Sequence, residues 1–306
     1  MAGGDGALCG GTLAKVVPLL VRIYPNGPGD INTFQQAGGM AALIAELLEG
    51  GFLHADVQTV WGRGLEAYTR RPVLDGSALS WRAEPERSSD HAVIAPVRKP
   101  FSPTGGLKVL SGNLGRAVIK VSALAAGADT VVEAPAMVFH TQEALSAAFR
   151  EGRLNRDLVA VVRFQGPRST GMPELHKLIT PLSVAMDHGH QVAMVTDGRL
   201  SGASGKVPAA IHVTPEALCG GTLAKVRDGD LIRIDVGAGR LDLLLDDETI
   251  KAREYADPGV RDVRYGFGRQ IFAPLRGNLQ SAEEGASSLF TYAHEKFEVH
   301  IPFEEE

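Results

Sequence analysis

The sequence of 306 residues predicts a mixed α/β protein whose larger part, from residue 105 onward, is built round a sizeable sheet or barrel. Three observations carry this. Short β-rich segments recur at 107–110, 117–121, 130–133, 159–163, 192–196, 231–236 and 241–245. Helical spacing of apolar residues separates some of them, at 141–150 and 174–187. Glycine is abundant, 36 residues or about 12% against a usual ~7%, and lies between apolar runs, as in loops that approach a ligand.

In chain order, residues 17–24 are mostly apolar and lead into Pro25-Asn26-Gly27-Pro28-Gly29-Asp30, a strong turn signal. Thr33 to Leu48 reads as one helix, with Phe34, Ala37, Met40, Ala41, Ile44 and Leu48 on helical spacing and Gly50-Gly51 ending it. Residues 66–104 are polar and rich in proline and arginine, and read as a linker or surface excursion between an N-terminal part, 1–65, and a C-terminal part, 105–306. Within the latter, Lys225 to Asp235 reads as an Asp-Gly turn followed by an alternating strand, and Glu304-Glu305-Glu306 as a frayed, solvated end.

Ala-Leu-Cys-Gly-Gly-Thr-Leu-Ala-Lys-Val occurs twice without a mismatch, at 7–16 and 217–226. Two copies so far apart make no solenoid, and divergent duplication would rarely leave ten identities in unrelated surroundings. The second copy fits its context, between Thr214-Pro215-Glu216 and the Asp228-Gly229 turn. The first reads as an artefact of recombination or assembly, with residues 1–16 carrying no function of their own.

Bulk properties narrow the function. Hydrophobic residues make up 44%, charged residues 22%, and the formal net charge is −5. The absence of a basic excess to neutralise phosphates argues against a general nucleic-acid binder, while leaving room for a local basic pocket. Cys9 and Cys219 are the only cysteines, too few for a disulfide framework or a zinc set. No apolar run reaches a membrane span, and the N-terminus lacks signal-peptide character, so a cytoplasmic location is the expected default.

Two segments point to one site. Val195 to His212 places Arg199, Ser201, Ser204 and Lys206 among glycines after an apolar run, a composition suited to an anionic, oxygen-rich small molecule. Gln165 to Lys177 follows the apolar stretch 159–164 and is expected to open a helix near Pro173. Glu174 there either complements the helix dipole or serves as a hard oxygen ligand for Mg²⁺. Ser201 either bonds turn backbone or does chemistry, and no GxSxG elbow supports a hydrolase. Arg199 and Lys206 are either solvated charges or ligand contacts. His188, His190 and His212 have too loose a spacing for a metal site. The glycines at 104–106 and 112–115 match neither a Walker loop nor a dinucleotide fingerprint.

Thr196-Asp-Gly-Arg-Leu-Ser-Gly-Ala-Ser204, Gly171-Met-Pro-Glu-Leu and Gly112-Asn-Leu-Gly-Arg-Ala-Val-Ile-Lys120 together resemble the signatures of the dihydroxy-acid dehydratase and phosphogluconate dehydratase family. Arg22-Ile-Tyr-Pro-Asn-Gly-Pro-Gly-Asp30, Gln36-Ala-Gly-Gly39, Met172-Pro-Glu-Leu-His-Lys177 and Ser204-Gly-Lys-Val-Pro-Ala-Ala-Ile-His-Val-Thr-Pro-Glu-Ala217 are similar to its phosphogluconate branch. The resemblance covers about residues 17–290 and only the C-terminal half of a family member. It implies a swivelling β/β/α barrel domain plus a remnant of an N-terminal α/β domain. It also implies dehydration of 6-phospho-D-gluconate to 2-keto-3-deoxy-6-phosphogluconate in the Entner–Doudoroff pathway. Mg²⁺ and an iron–sulfur cluster are the implied cofactors; Glu174 becomes an Mg²⁺ ligand, Ser201 the base, and Arg199, Ser204 and Lys206 substrate contacts. No cluster ligand is identifiable in this chain, so a missing N-terminal half and a homodimeric partner are implied. A dehydratase of an unphosphorylated sugar acid or branched dihydroxy acid, and a catalytically incomplete fragment that only binds a ligand or partner, are the alternatives.

Overall fold

The computed structural model describes residues 6–82, 85–122, 124, 131–202, 204–259 and 266–289. The first five residues, the side chain of Cys9 and the Glu304–Glu306 end fall outside that set.

Eight strands close into a barrel: β1 (Leu107–Gly112), β2 (Gly115–Lys120), β3 (Val131–Phe139), β4 (Leu158–Val162), β5 (Val192–Thr196), β6 (Ala209–Thr214), β7 (Leu231–Asp235) and β8 (Arg240–Leu243). The order round it is β6-β2-β1-β8-β7-β3-β4-β5, with β5 returning to β6. Strands β3 to β6 run parallel to their neighbours in that stretch, whereas β1/β2, β2/β6, β7/β8 and β3/β7 pair antiparallel. The mixed α/β architecture expected from the sequence is therefore present as a closed barrel.

Every residue of β4 and β5 is buried, because both faces of these parallel strands are covered. The pleat sends Val159, Val161, Ala193 and Val195 inward to Leu110, Ile119, Ile232, Ile234 and Leu241. It sends Ala160, Val162, Val192 and Met194 outward to a second core with Leu145, Ala148, Leu178 and Leu182. These last four come from the crossover segments carrying α4 (Gln142–Arg150) and α5 (Ile179–Asp187). Burying one such aliphatic side chain stabilises the fold by roughly 1.5–3 kcal/mol, so this two-sided packing is what holds the parallel strands in place. Helix α4 starts where its spacing predicts, with the Thr141 hydroxyl accepting from Ala144 N at 3.1 Å.

The helix expected over 174–187 is shorter. A 3₁₀ turn, His176–Leu178, precedes α5, and Glu174 lies outside both in an isolated parallel bridge to Arg199. The bridge takes the backbone of this segment, with Leu175 N donating to Arg199 O, and so withholds it from the helix. Strand β6 lies inside the 195–212 stretch, which is a loop only between the ends of β5 and β6.

In the N-terminal part the single helix expected over 33–48 is two, α2 (Ile31–Gln36) and α3 (Gly39–Glu49). Gly38 and Gly39 have φ of 122° and 59°, left-handed values that no helix continues through. Phe34, Ala37 and Ala42 pack with Val93 and Ile94, and backbone bridges join Val21 to Ile94 and Leu19 to Ser102. Residues 66–104 thus contain an exposed hairpin, Pro72–Asp75 with Ala78–Trp81, and then a stretch laid against the N-terminal segment. The first copy of the repeated decamer lies in α1 (Gly6–Val16). The second folds as two 3₁₀ turns, Ala217–Cys219 and Thr222–Lys225.

Candidate functional site

Loops 163–175 and 197–208 leave the C-terminal ends of β4 and β5, where parallel strands characteristically present binding groups. They are joined by Arg199, whose Nε donates to Met172 O at 2.8 Å and whose Nη1 reaches Glu174 Oε2 at 2.9 Å. The other carboxylate oxygen, Oε1, accepts from Ser201 N at 2.8 Å and His176 N at 2.9 Å. Ser204 is buried; its Oγ lies 2.6 Å from His176 Nδ1 and its N donates to Ser201 O at 3.0 Å. Glu174, Arg199, Ser201 and Ser204 therefore form one network. Lys206 does not join it: its Nζ donates to both carboxylate oxygens of Asp187, each at 2.7 Å, at the far end of α5.

Beneath these loops lie two buried carboxylates that the sequence reading missed. Asp197, fully buried, accepts from Phe164 N (3.2 Å), Gln165 N (2.8 Å) and Ala217 N (2.9 Å). Burial pushes its pKa up to about 6, against those backbone bonds and with help from the nearby charge of Glu216. Glu216 accepts from Arg168 N at 3.1 Å and is pushed up by burial as well. Gly166 makes room for it, since a Cβ there would stand 1.9 Å from Glu216 Oε2. The available signal was position: Asp197 follows directly on the strand Val192–Thr196, whose first four residues are apolar, so the chain enters it from the core.

Three residues other than glycine have positive φ beside these loops: Phe164 at 61°, Met172 at 55° and His212 at 57°. Such strain persists only where the surroundings enforce it, and it gathers at functional sites. His212 N donates to Gly198 O at 3.0 Å, and burial, reinforced by the charge of Arg199, pushes its pKa down. His188 bonds Asn155 and His190 faces Asp157, both away from the network.

Glu174 is half-exposed with three donors on its two oxygens, leaving room for a cation. Among the described residues no three His, Cys, Asp or Glu side chains come together as a metal set. Cys219 is a free thiol on an exposed residue between Glu216 and Arg168, its pKa pushed up by partial burial of the sulfur and by the Glu216 charge; one described cysteine with no further Cys or His beside it does not make a cluster's ligand set. No helix among the described residues is long and apolar enough to cross a membrane.

Comparison with known proteins bears on this geometry. The model for the dihydroxy-acid/6-phosphogluconate dehydratase C-terminal region matches residues 92–286, and that for the N-terminal region matches 11–68. The chain is 59% identical over 276 residues to a phosphogluconate dehydratase of Pseudomonas aeruginosa, covering 90% of this chain and 45% of that protein. It is 56% identical over 277 residues to one of Escherichia coli, covering 90% and 46%. A dihydroxy-acid dehydratase of Acetivibrio thermocellus is 35% identical over 280 residues, covering 90% and 46%. The chain thus spans about half the length of the curated relatives it matches.

Proposed function

The chain belongs to the dihydroxy-acid/6-phosphogluconate dehydratase family, and on that premise we propose that it supplies one wall of a site that dehydrates 6-phospho-D-gluconate to 2-keto-3-deoxy-6-phosphogluconate. The observation that carries the proposal is the Glu174 carboxylate, bonded at once to Arg199 and to the backbone of Ser201. It fixes a hard oxygen donor and a hydroxyl side by side on a glycine-rich loop. Identity of 49–59% to five phosphogluconate dehydratases, against 35% to a dihydroxy-acid dehydratase, favours the phosphorylated sugar acid.

In this reading the reaction breaks the C2–H and C3–O bonds, water leaves, and the resulting enol becomes the 2-keto acid. Ser201 Oγ takes the C2 proton. A serine hydroxyl is far too weak an acid to act unaided, so positive charge must stand near it. Arg199 holds Glu174 in place through its second oxygen, and Ser204, tied to His176 and to Ser201 O, fixes the loop. Glu174 fits Mg²⁺ as one ligand of a shared set; when bound, the ion supplies positive charge beside the acid's oxygens. The described thiol does not fit an iron–sulfur cluster, and no step is assigned to one. The same reading takes the closed barrel as the swivelling β/β/α domain and residues 1–65 as the end of an α/β domain. It takes the active protein as a cytoplasmic homodimer whose remaining ligands come from sequence outside this chain.

The test is a graft. Residues 17–289 replace the matching region of the Pseudomonas aeruginosa relative, and 2-keto acid formation is followed with 6-phosphogluconate, gluconate and a branched dihydroxy acid. The expected result is turnover of 6-phosphogluconate well above the other two, with no turnover by the chain alone. Preference for an unphosphorylated acid overturns the substrate assignment.

A further inference from the structure

Lys120 ends β2, the strand whose residues Ala117 and Ile119 point into the barrel core. Its side chain therefore lies on the outer face, and its ammonium donates to the backbone carbonyl of Gly202, the residue after Ser201. That carbonyl is its only hydrogen-bond partner among the described residues, and no carboxylate there pairs with it. Burial shifts its pKa downward. The two cations of the serine-bearing loop itself are paired, Arg199 with Glu174 and Lys206 with Asp187. A half-buried ammonium without a counter-ion is costly, and the cost falls when an anion sits beside it. A Cβ on Gly202 would meet nothing within 4 Å, so the loop is open on that side of the glycine.

We propose that Lys120 is the anion contact beside the serine-bearing loop, binding an anionic oxygen group of the acid substrate next to Ser201, and that Lys206 is not. The inference rests on the reading of the Glu174–Ser201 network as an acid-binding site. It gives a role to the last residue of the Gly112–Lys120 motif, and it places a fixed positive charge next to the loop that carries the serine.

The experiment measures binding of inorganic phosphate, gluconate and 6-phosphogluconate to the chain by calorimetry, for wild type, Lys120→Gln, Lys120→Arg and Lys206→Ala. Glutamine keeps a donor for Gly202 O and removes the charge; arginine keeps the charge. Lys120→Gln is expected to weaken 6-phosphogluconate by about tenfold or more, with Lys120→Arg within about threefold and Lys206→Ala within about twofold of wild type. Phosphate binding that depends on Lys120 identifies the phosphate as the group held; gluconate binding that depends on it identifies the carboxylate. Binding by Lys120→Gln within twofold of wild type, a loss carried by Lys206→Ala instead, or no anion bound by wild type overturns the proposal. Anion binding through Lys120 in a chain whose graft leaves 6-phosphogluconate unchanged overturns the dehydratase reading and supports the Lys120 contact. An active graft whose KM is untouched by Lys120→Gln does the reverse.

Discussion

The Glu174 carboxylate accepts two backbone N–H groups and one guanidinium, and this division of its lone pairs separates catalytic from structural effects. Its pair with Arg199 is well solvated, with side chains 36% and 47% exposed, so the pair contributes under about 1 kcal/mol to stability. Glu174→Gln is expected to leave the melting temperature of the graft nearly unchanged while lowering its kcat/KM and Mg²⁺ affinity by roughly 10–100-fold, read from Mg²⁺ titrations of activity. Ser201→Ala in the graft is expected to abolish proton abstraction, seen as lost exchange of the C2 proton with solvent; retained exchange would remove Ser201 as the base. The exposed Lys206–Asp187 pair predicts a shift below about 1 kcal/mol for Lys206→Ala in urea denaturation.

At the scale of elements, the repeated decamer shows how far context overrides local preference. Its sequence lies within a helix in α1 and forms two 3₁₀ turns at 217–226. At the second copy Gly220 takes φ 81°, and a Cβ on Gly221 would stand 1.9 Å from Pro215 O, a backbone atom that cannot yield. At the first, a Cβ on Gly11 would stand 2.2 Å from a methyl of Val109, a side chain that can turn. Gly221→Ala is expected to cost about 1–3 kcal/mol or more, and Gly11→Ala distinctly less, because alanine recovers about 1 kcal/mol of helix propensity; thermal melts of the two variants decide this. The same reasoning explains the broken helix at Gly38-Gly39. The pattern of apolar residues runs on across the break, but two left-handed glycines turn the chain there. The signal of strand β6 is weak because it follows a glycine-rich loop, opens on Ala209-Ala210 and alternates only over 211–214. The last residues of β3 escaped notice because Pro135 interrupts the strand signal.

For the whole molecule, the buried carboxylates under the loops set the pH response. The folded-state pKa of Asp197, about 6, lies above its ordinary value of 3.8. Its contribution to stability is therefore complete below about pH 4 and is lost as the pH rises through 6, with Glu216 adding in the same direction. Exposed carboxylates held low by hydrogen bonds, such as Asp30 and Asp246, act oppositely and lose their contribution in acid. Urea midpoints from pH 4 to 7 for wild type and Asp197→Asn isolate the buried group. The wild type is expected to lose on the order of 3 kcal/mol relative to the variant across that window. The N-terminal part has its own small core, in which Ile94 is fully buried against Val21 and Phe34. Ile94→Ala is expected to cost about 2–5 kcal/mol, with proteolysis reporting whether the loss falls first on residues 19–49.

The sequence by itself determined the α/β class and most of the strands, and it singled out the serine-bearing loop as a candidate site. Periodicity and side-chain type belong to short stretches and need no partner to be read. Only the tertiary structure decided that the sheet closes on itself, that Glu174 meets Ser201 across 27 residues, and that Lys206 pairs with Asp187 while Lys120 reaches the serine-bearing loop. A lysine's sequence neighbours say nothing of its counter-ion. Lys206 finds Asp187 on the preceding helix, whereas Lys120, on a strand 82 residues before Gly202, is carried by the barrel to the loop, where no carboxylate among the described residues pairs with it.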